Sequence, residues 1–345
     1  MHRFFRAALC LLAVPIAAAS ATAAPIEKVL LTLQNGWTNA PFSTSKAYAQ
    51  LSGGVVAFRG AIATSGTNTN PFTLPAEMVP STEVYVPVDM CNATKGRLLI
   101  GTDGTVTVQA ETDFSNAQCF TSLDGVSFVQ APTSKAKPLH LKNGWKDTIY
   151  GTAAPAVEQA GGVVRFIGAV SQPSAKTNSL VFTLPPPLRP AAAVYVPVDM
   201  CSATNGRLLI ETNGDVLAQA ESDYSNAQCF TSLDGASFVL SGGTPLALIN
   251  GWTNAPFGTR SAAVSLIAGT VRLSGAIATS GSVAQPFVLG AGLTPAKDTY
   301  VNIDLCDATK GRLYIEPNGT VTVQAETDFS NAQCFTSLDG ASFVK

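Results

Sequence analysis

Val106, Val108 and Ala110 alternate with Thr107, Gln109 and Glu111. That period of two places one face of an extended segment in a core and leaves the other wet. The run before it ends in Leu98-Leu99-Ile100, and the link between them carries Asp103-Gly104. This dipeptide, replaced by Asn213-Gly214 and Asn318-Gly319 further along, tolerates positive φ in tight hairpins. The same reading predicts strands over 29–34, 47–52, 55–63, 83–90, 97–100, 105–111 and 119–122, with 126–129 extending the last. Pro71, Pro75 and Pro80 break the middle into an irregular connection. No window carries the pattern of a capped amphipathic helix. Seven or eight short strands in about 105 residues predict a β-sandwich or jelly roll.

The pattern then returns twice. Asn35-Gly36-Trp37 recurs at Asn143-Gly144-Trp145 and Asn250-Gly251-Trp252, and residues 116–125 are identical to 226–235 and 331–340. Tyr85-Val86-Pro87-Val88-Asp89-Met90-Cys91 comes back unchanged at 195–201 and as Tyr300-Val301-Asn302-Ile303-Asp304-Leu305-Cys306. A period near 107 residues is a domain length, so each copy is able to own a core. The expected organisation is a leader over 1–23 and three tandem all-β domains over 27–130, 137–240 and 245–345.

Composition narrows the class. Only 13% of the 345 residues are charged, while 46% are hydrophobic. A disordered or nucleic-acid-binding chain needs more charge than that. Arg3 and Arg6 precede an uncharged apolar run over 7–19 and the small-residue sites Ala19-Ser20-Ala21 and Ala21-Thr22-Ala23. This is the pattern of a secretory signal peptide, and no later run reaches the ~20 apolar residues of a membrane helix. Without the leader the chain has 19 basic against 23 acidic residues, a net of −4. It also loses His2 and Cys10, leaving one histidine, His140, and six cysteines. The expected destination is secreted or extracellular, with the periplasm as the other compartment that fits.

Cys91 and Cys119 are 28 residues apart, as are Cys201 and Cys229, and Cys306 and Cys334. An even cysteine count in an exported chain implies a disulfide framework, here one bridge within each copy. Zinc is excluded as the rival, because two cysteines per copy without a recurring histidine cannot complete its site. No cofactor and no metal site are expected.

Each copy also carries Val56-Ala57-Phe58-Arg59-Gly60-Ala61-Ile62, then Phe72-Thr73-Leu74-Pro75 and Pro80, the hairpin after Ile100, and a closing Leu123-Asp124-Gly125-Val126-Ser127-Phe128. Copy two keeps Phe182-Thr183-Leu184-Pro185 and Arg189-Pro190, whereas copy three departs with Val288-Leu289-Gly290 and Thr294-Pro295. This order resembles the C-terminal receptor-binding tip domains of phage tail fibres and related repeats of secreted bacterial proteins. The resemblance implies binding of cell-surface glycans or proteins. Tips of that kind are usually trimeric, so it also implies that three copies on one chain pack as an intramolecular pseudo-trimer, with a linear string as the alternative.

Candidate site residues follow from chemistry. Trp37, Trp145 and Trp252 sit just after Asn-Gly turns, where a ring near a rim would suit stacking on a sugar; the competing role is a core plug. Arg97, Arg207 and Arg312 are candidates for ligand recognition or for a salt bridge to a nearby carboxylate such as Asp89. Asp89, Glu111, Asp113 and Asp124 recur in every copy, and Glu111 with Asp113 should share one strand face about 7 Å apart, a spacing compatible with glycosidase carboxylates. His140 has Thr32 and Ala247 as counterparts, so a triad built on it would exist in one copy alone. Asn92-Ala93-Thr94 and Asn318-Gly319-Thr320 fit the glycosylation sequon. The expected function is therefore a non-catalytic binding or surface-interaction protein, with glycans as the first ligand class, no nucleic acid and no membrane span. The alternatives are an exported glycan-active hydrolase and a structural spacer.

Overall fold

The computed structural model describes residues 27–147 and 150–345. The expected leader lies outside the described residues. Copy one runs β1 (Glu27–Leu30), β2 (Trp37–Asn39), β3 (Tyr48–Ser52), β4 (Val55–Arg59), β5 (Ala61–Thr64), β6 (Phe72–Thr73), β7 (Val84–Asp89), β8 (Lys95–Ile100), β9 (Thr105–Ala110), α1 (Phe114–Cys119), β10 (Thr121–Ser122) and β11 (Ser127–Val129). One antiparallel sheet has the order β1-β3-β4-β11 and the facing one β6-β9-β8-β7, with β10-β5-β2 as a small third sheet at the end. Copies two and three repeat both four-stranded sheets, so the protein is three tandem all-β sandwiches. Cys91 pairs with Cys119, Cys201 with Cys229 and Cys306 with Cys334, one disulfide within each.

The core is what the alternation predicts. Val84, Val86 and Val88 of β7, Leu98 and Ile100 of β8, and Val106 and Val108 of β9 point into one cluster with Val56 and Phe58 of β4. Phe58 lies 6.1 Å from Phe72 and 6.2 Å from Phe128, ring centre to ring centre. Each such buried phenylalanine stabilises the sandwich by roughly 2–3 kcal/mol.

Three local expectations are corrected. The strand expected over 55–63 is broken at Gly60, whose φ of 94° turns β4 into β5 and moves the chain between sheets. The first strand, expected over 29–34, is β1 and ends at Leu30. The hairpin expected at Asp103-Gly104 turns through residues 101–104, where the Gly104 N–H donates to Gly101 O and φ is positive at Gly104. The strand expected from Cys119 starts only at Thr121, because Cys119 is the last residue of the six-residue helix α1, which Asp113 caps by accepting from Ser115 N at 2.8 Å.

The three sandwiches close a ring. β7 packs against its equivalents Val194–Asp199 and Thr299–Asp304, and those two pack on each other. Ser122 Oγ donates to Tyr300 O, Ser232 Oγ to Tyr85 O and Ser337 Oγ to Tyr195 O, each at 2.6 Å. Copy one thus meets copy two, two meets three, and three meets one through one repeated interface. Among the described residues no helix is long and apolar enough to cross a membrane.

Candidate functional site

The seams between sandwiches collect the recurring polar and aromatic residues. Along β7 the core takes Val84, Val86 and Val88, so Tyr85 and Asp89 are released toward the neighbouring copy. Arg97, on the adjoining strand β8, lays its guanidinium over the Tyr85 ring at 5.0 Å. Its Nε donates to Gln109 Oε1 at 2.6 Å, and its Nη1 to Asp199 Oδ2 at 3.1 Å and to Met200 O at 3.3 Å. Arg207 does the same to Asp304 and Leu305 O, and Arg312 to Asp89 and Met90 O. The salt bridge expected within a copy, Arg97 to Asp89, is therefore made to the next copy. The register explains the exchange: Arg97 sits opposite Pro87, and the fork reaches outward across the seam.

Beside Arg97 and beside Arg312 the seam opens into a cleft. Tyr85 meets Phe230 of copy two edge-on at 5.0 Å, and Phe230 meets Tyr150 at 5.7 Å. The cleft, about 250 Å³, is lined by these rings with Arg97, Cys201 and Ser202. Its counterpart between copies three and one, about 140 Å³, is lined by Tyr300, Arg312, Phe42, Cys91, Asn92 and Phe120. The third seam repeats the rings: Tyr195 to Phe335 at 4.9 Å, Phe335 to Phe257 at 5.7 Å, and Arg207 over Tyr195 at 4.8 Å. Phe42, Tyr150 and Phe257 are 60%, 60% and 63% exposed. All three occupy the left-handed region, with φ of 52°, 50° and 53°. An aromatic residue held there costs backbone energy, and that combination with exposure recurs once per seam.

The tryptophans expected to stack on a sugar do not line these clefts. Trp37, Trp145 and Trp252 are each 5% exposed and belong to the three cores. Their indole N–H groups donate to Asn68 O, Asn178 O and Val283 O at 2.8–3.0 Å. They are plugs at the sandwich ends, satisfied by loops some 31–33 residues away.

The recurring acids part company. Glu111, Glu221 and Glu326 converge where the three copies meet, on the single amine of Lys95: 3.2 Å from Glu111, 3.5 Å from Glu326, and closest to Glu221. Burial disfavours the charged lysine, but the carboxylates outweigh it and hold Lys95 above its ordinary pKa. Burial also pushes Glu221 and Glu326 up, against the pull of the lysine. The lysine of copy three, Lys310, turns instead to Asp89 and to Ala93 O, and copy two has Asn205 there, donating to Ala308 O at 2.7 Å. Asp113 is an exposed helix cap, so Glu111 and Asp113 do not form the carboxylate pair expected on one strand face. Asp124 and Asp234 are buried, accept from Gly60 N and Gly168 N at 3.0 Å, and are pushed up to about 7 by burial. Among the described residues no group of three or more His, Cys, Asp or Glu side chains is arranged to hold a metal ion. His140 is exposed just beyond a short strand at Lys137–Pro138.

Comparison with family models, with curated proteins and with solved structures finds no match for this chain. The cleft residues that sequence reasoning passed over are Phe42, Tyr150 and Phe257, with Tyr85 and Phe230 and their counterparts. One signal for Tyr85 was available: in Val84-Tyr85-Val86-Pro87-Val88 it has the parity opposite to the core valines.

Proposed function

We propose that this is an exported, non-catalytic binding protein with a tail-fibre-tip-like role, and that its ligand sites are the aromatic surfaces of the three seams. The carrying observation is the threefold recurrence of an exposed aromatic ring, held in a left-handed backbone, above a Tyr–Phe–Arg wall. Rings that are solvent-facing and fixed suit the apolar face of a pyranose, while a guanidinium edge suits its hydroxyls. Glycans are therefore the ligand class we favour, and three equivalent sites on one ring favour repeating surface glycans through avidity.

The test is a glycan array probed with the processed protein, with hydrolysis of each bound glycan followed in parallel. The comparison protein carries Phe42→Gly, Tyr150→Gly and Phe257→Gly. Glycine removes the ring and relieves the left-handed strain, so the triple variant should melt at or above the wild type. Binding should fall at least tenfold. Unchanged binding by the variant would put the ligand elsewhere, and accumulation of hydrolysis products would replace the binding reading with an enzymatic one.

A further inference from the structure

The second meeting point of the three copies lies between the β4-type strands and the closing strands. Ala57, Arg165 and Arg272 are equivalent there, facing Ser127, Ser237 and Ser342 across the ladder. β4 touches the closing strand of copy three, and the Arg165 and Arg272 strands touch those of copies one and two. Arg272 is only 6% exposed, yet its guanidinium makes no hydrogen bond or ion pair among the described residues, and its Nε is buried without a partner. Arg165 also has a buried, unpartnered Nε; its Nη1 reaches Ala160 O at the long distance of 3.4 Å. Glu158, the carboxylate that acts on Arg165, lies outside ion-pair distance and is bonded through Oε2 to Thr133 N and Oγ1. Burial, with the repulsion of Arg165, pushes Arg272 down to about 9.

A buried guanidinium without a counter-charge is costly, and two that repel are costlier. Copy one supplies alanine at the third position, so the crowding of three arginines is avoided and room is left. The space beside Arg165 lies between copies one and two, the space beside Arg272 between copies one and three; each holds about 10 Å³, and Ser127 walls both. That is room for one water-sized guest rather than for a sulfate or phosphate. We infer that Arg165, Arg272 and the Ser127 hydroxyl bind a halide ion, chloride in most surroundings, which ties the three copies together.

The experiment is thermal melting at fixed ionic strength with sodium chloride, or bromide, replacing sodium gluconate. The wild type should show a saturable rise of about 3–5 °C. Arg272→Met and, separately, Arg165→Met should abolish the rise; Arg165 is half-buried, so its variant guards against a folding failure at Arg272. Anomalous scattering from bromide-soaked crystals should give a peak between the two guanidinium groups. A wild type indifferent to halide, a rise that persists in both variants, or stabilisation by sulfate but not halide overturns the inference.

Discussion

Arg97, Arg207 and Arg312 each combine three roles in one side chain: stacking on a tyrosine of their own copy, bonding a glutamine on the neighbouring strand, and pairing with an aspartate of the next copy. A planar fork with fixed donors does this; a lysine amine cannot stack and bond in three directions at once. Asp199 and Asp304 are almost wholly buried, so losing the arginine leaves a desolvated carboxylate behind. Arg97→Ala should therefore cost about 3 kcal/mol in urea unfolding at pH 8, where Asp199 is ionised. Arg97→Lys should recover only part of it, because Lys keeps the charge and loses the fork. If both variants unfold with the wild-type midpoint, the seam pairs contribute nothing. The partner of each arginine was not legible beforehand. Asp89, Asp199 and Asp304 are the same residue in repeated surroundings, so a sequence of copies cannot distinguish a bond within one copy from a bond to the next.

At the scale of elements, the chain turns where glycine permits it. A Cβ built on Gly60 would lie 2.4 Å from Lys46 O and 2.5 Å from Ser45 O, both backbone atoms, in addition to the penalty of φ 94°. Gly168 and Gly275 stand at the same corner of the other copies with the same obstruction. Gly60→Ala should thus destabilise copy one by about 2–4 kcal/mol. Gly53→Ala, where φ is also positive but no atom lies within 4 Å, should cost about 1 kcal/mol. Equal losses would mean that backbone conformation alone decides the corner. The alternation of Val106 and Val108, or of Val84, Val86 and Val88, was enough to read strands, hairpin and core, because burial on one face leaves a period of two in the residues themselves. The helix Phe114–Cys119 left no such mark. Six residues are too few to show an amphipathic period or to form a helix alone; the cap at Asp113 and the bridge at Cys119 hold it in context. The choice between rim and core was not legible for the tryptophans for a related reason. Asn-Gly announces a turn, but the carbonyl that satisfies the indole is supplied by a distant loop.

For the whole molecule, ring closure decides how stability responds to pH. The interfaces bury carboxylates that an isolated sandwich would leave wetter, and burial pushes Asp199 and Asp304 up to about 7, with Arg97 and Arg207 opposing. Asp124 and Asp234 are pushed to the same level, and Asp339 to about 6. In the unfolded chain each of these groups titrates near about 3.9. Between about pH 4 and pH 7 the folded protein therefore holds more protons than the unfolded one, and stability must fall as pH rises through that window. Glu221 and Glu326, raised at the centre of the ring, add in the same direction. The exposed caps Asp113, Asp223 and Asp328 are lowered by their bonds to the helix N-termini and act oppositely, but mainly below pH 4. The midpoint of thermal unfolding should accordingly be higher at pH 5 than at pH 8. Asparagine imitates the protonated aspartate, so the double variant Asp199→Asn with Asp304→Asn should match the wild type at pH 5 and exceed it at pH 8. A double variant that runs parallel to the wild type across the whole range would show that the seam carboxylates do not carry the pH response. A wild type that gains stability from pH 5 to pH 8 would show that they stay ionised in the folded ring, with Arg97 and Arg207 compensating their burial in full.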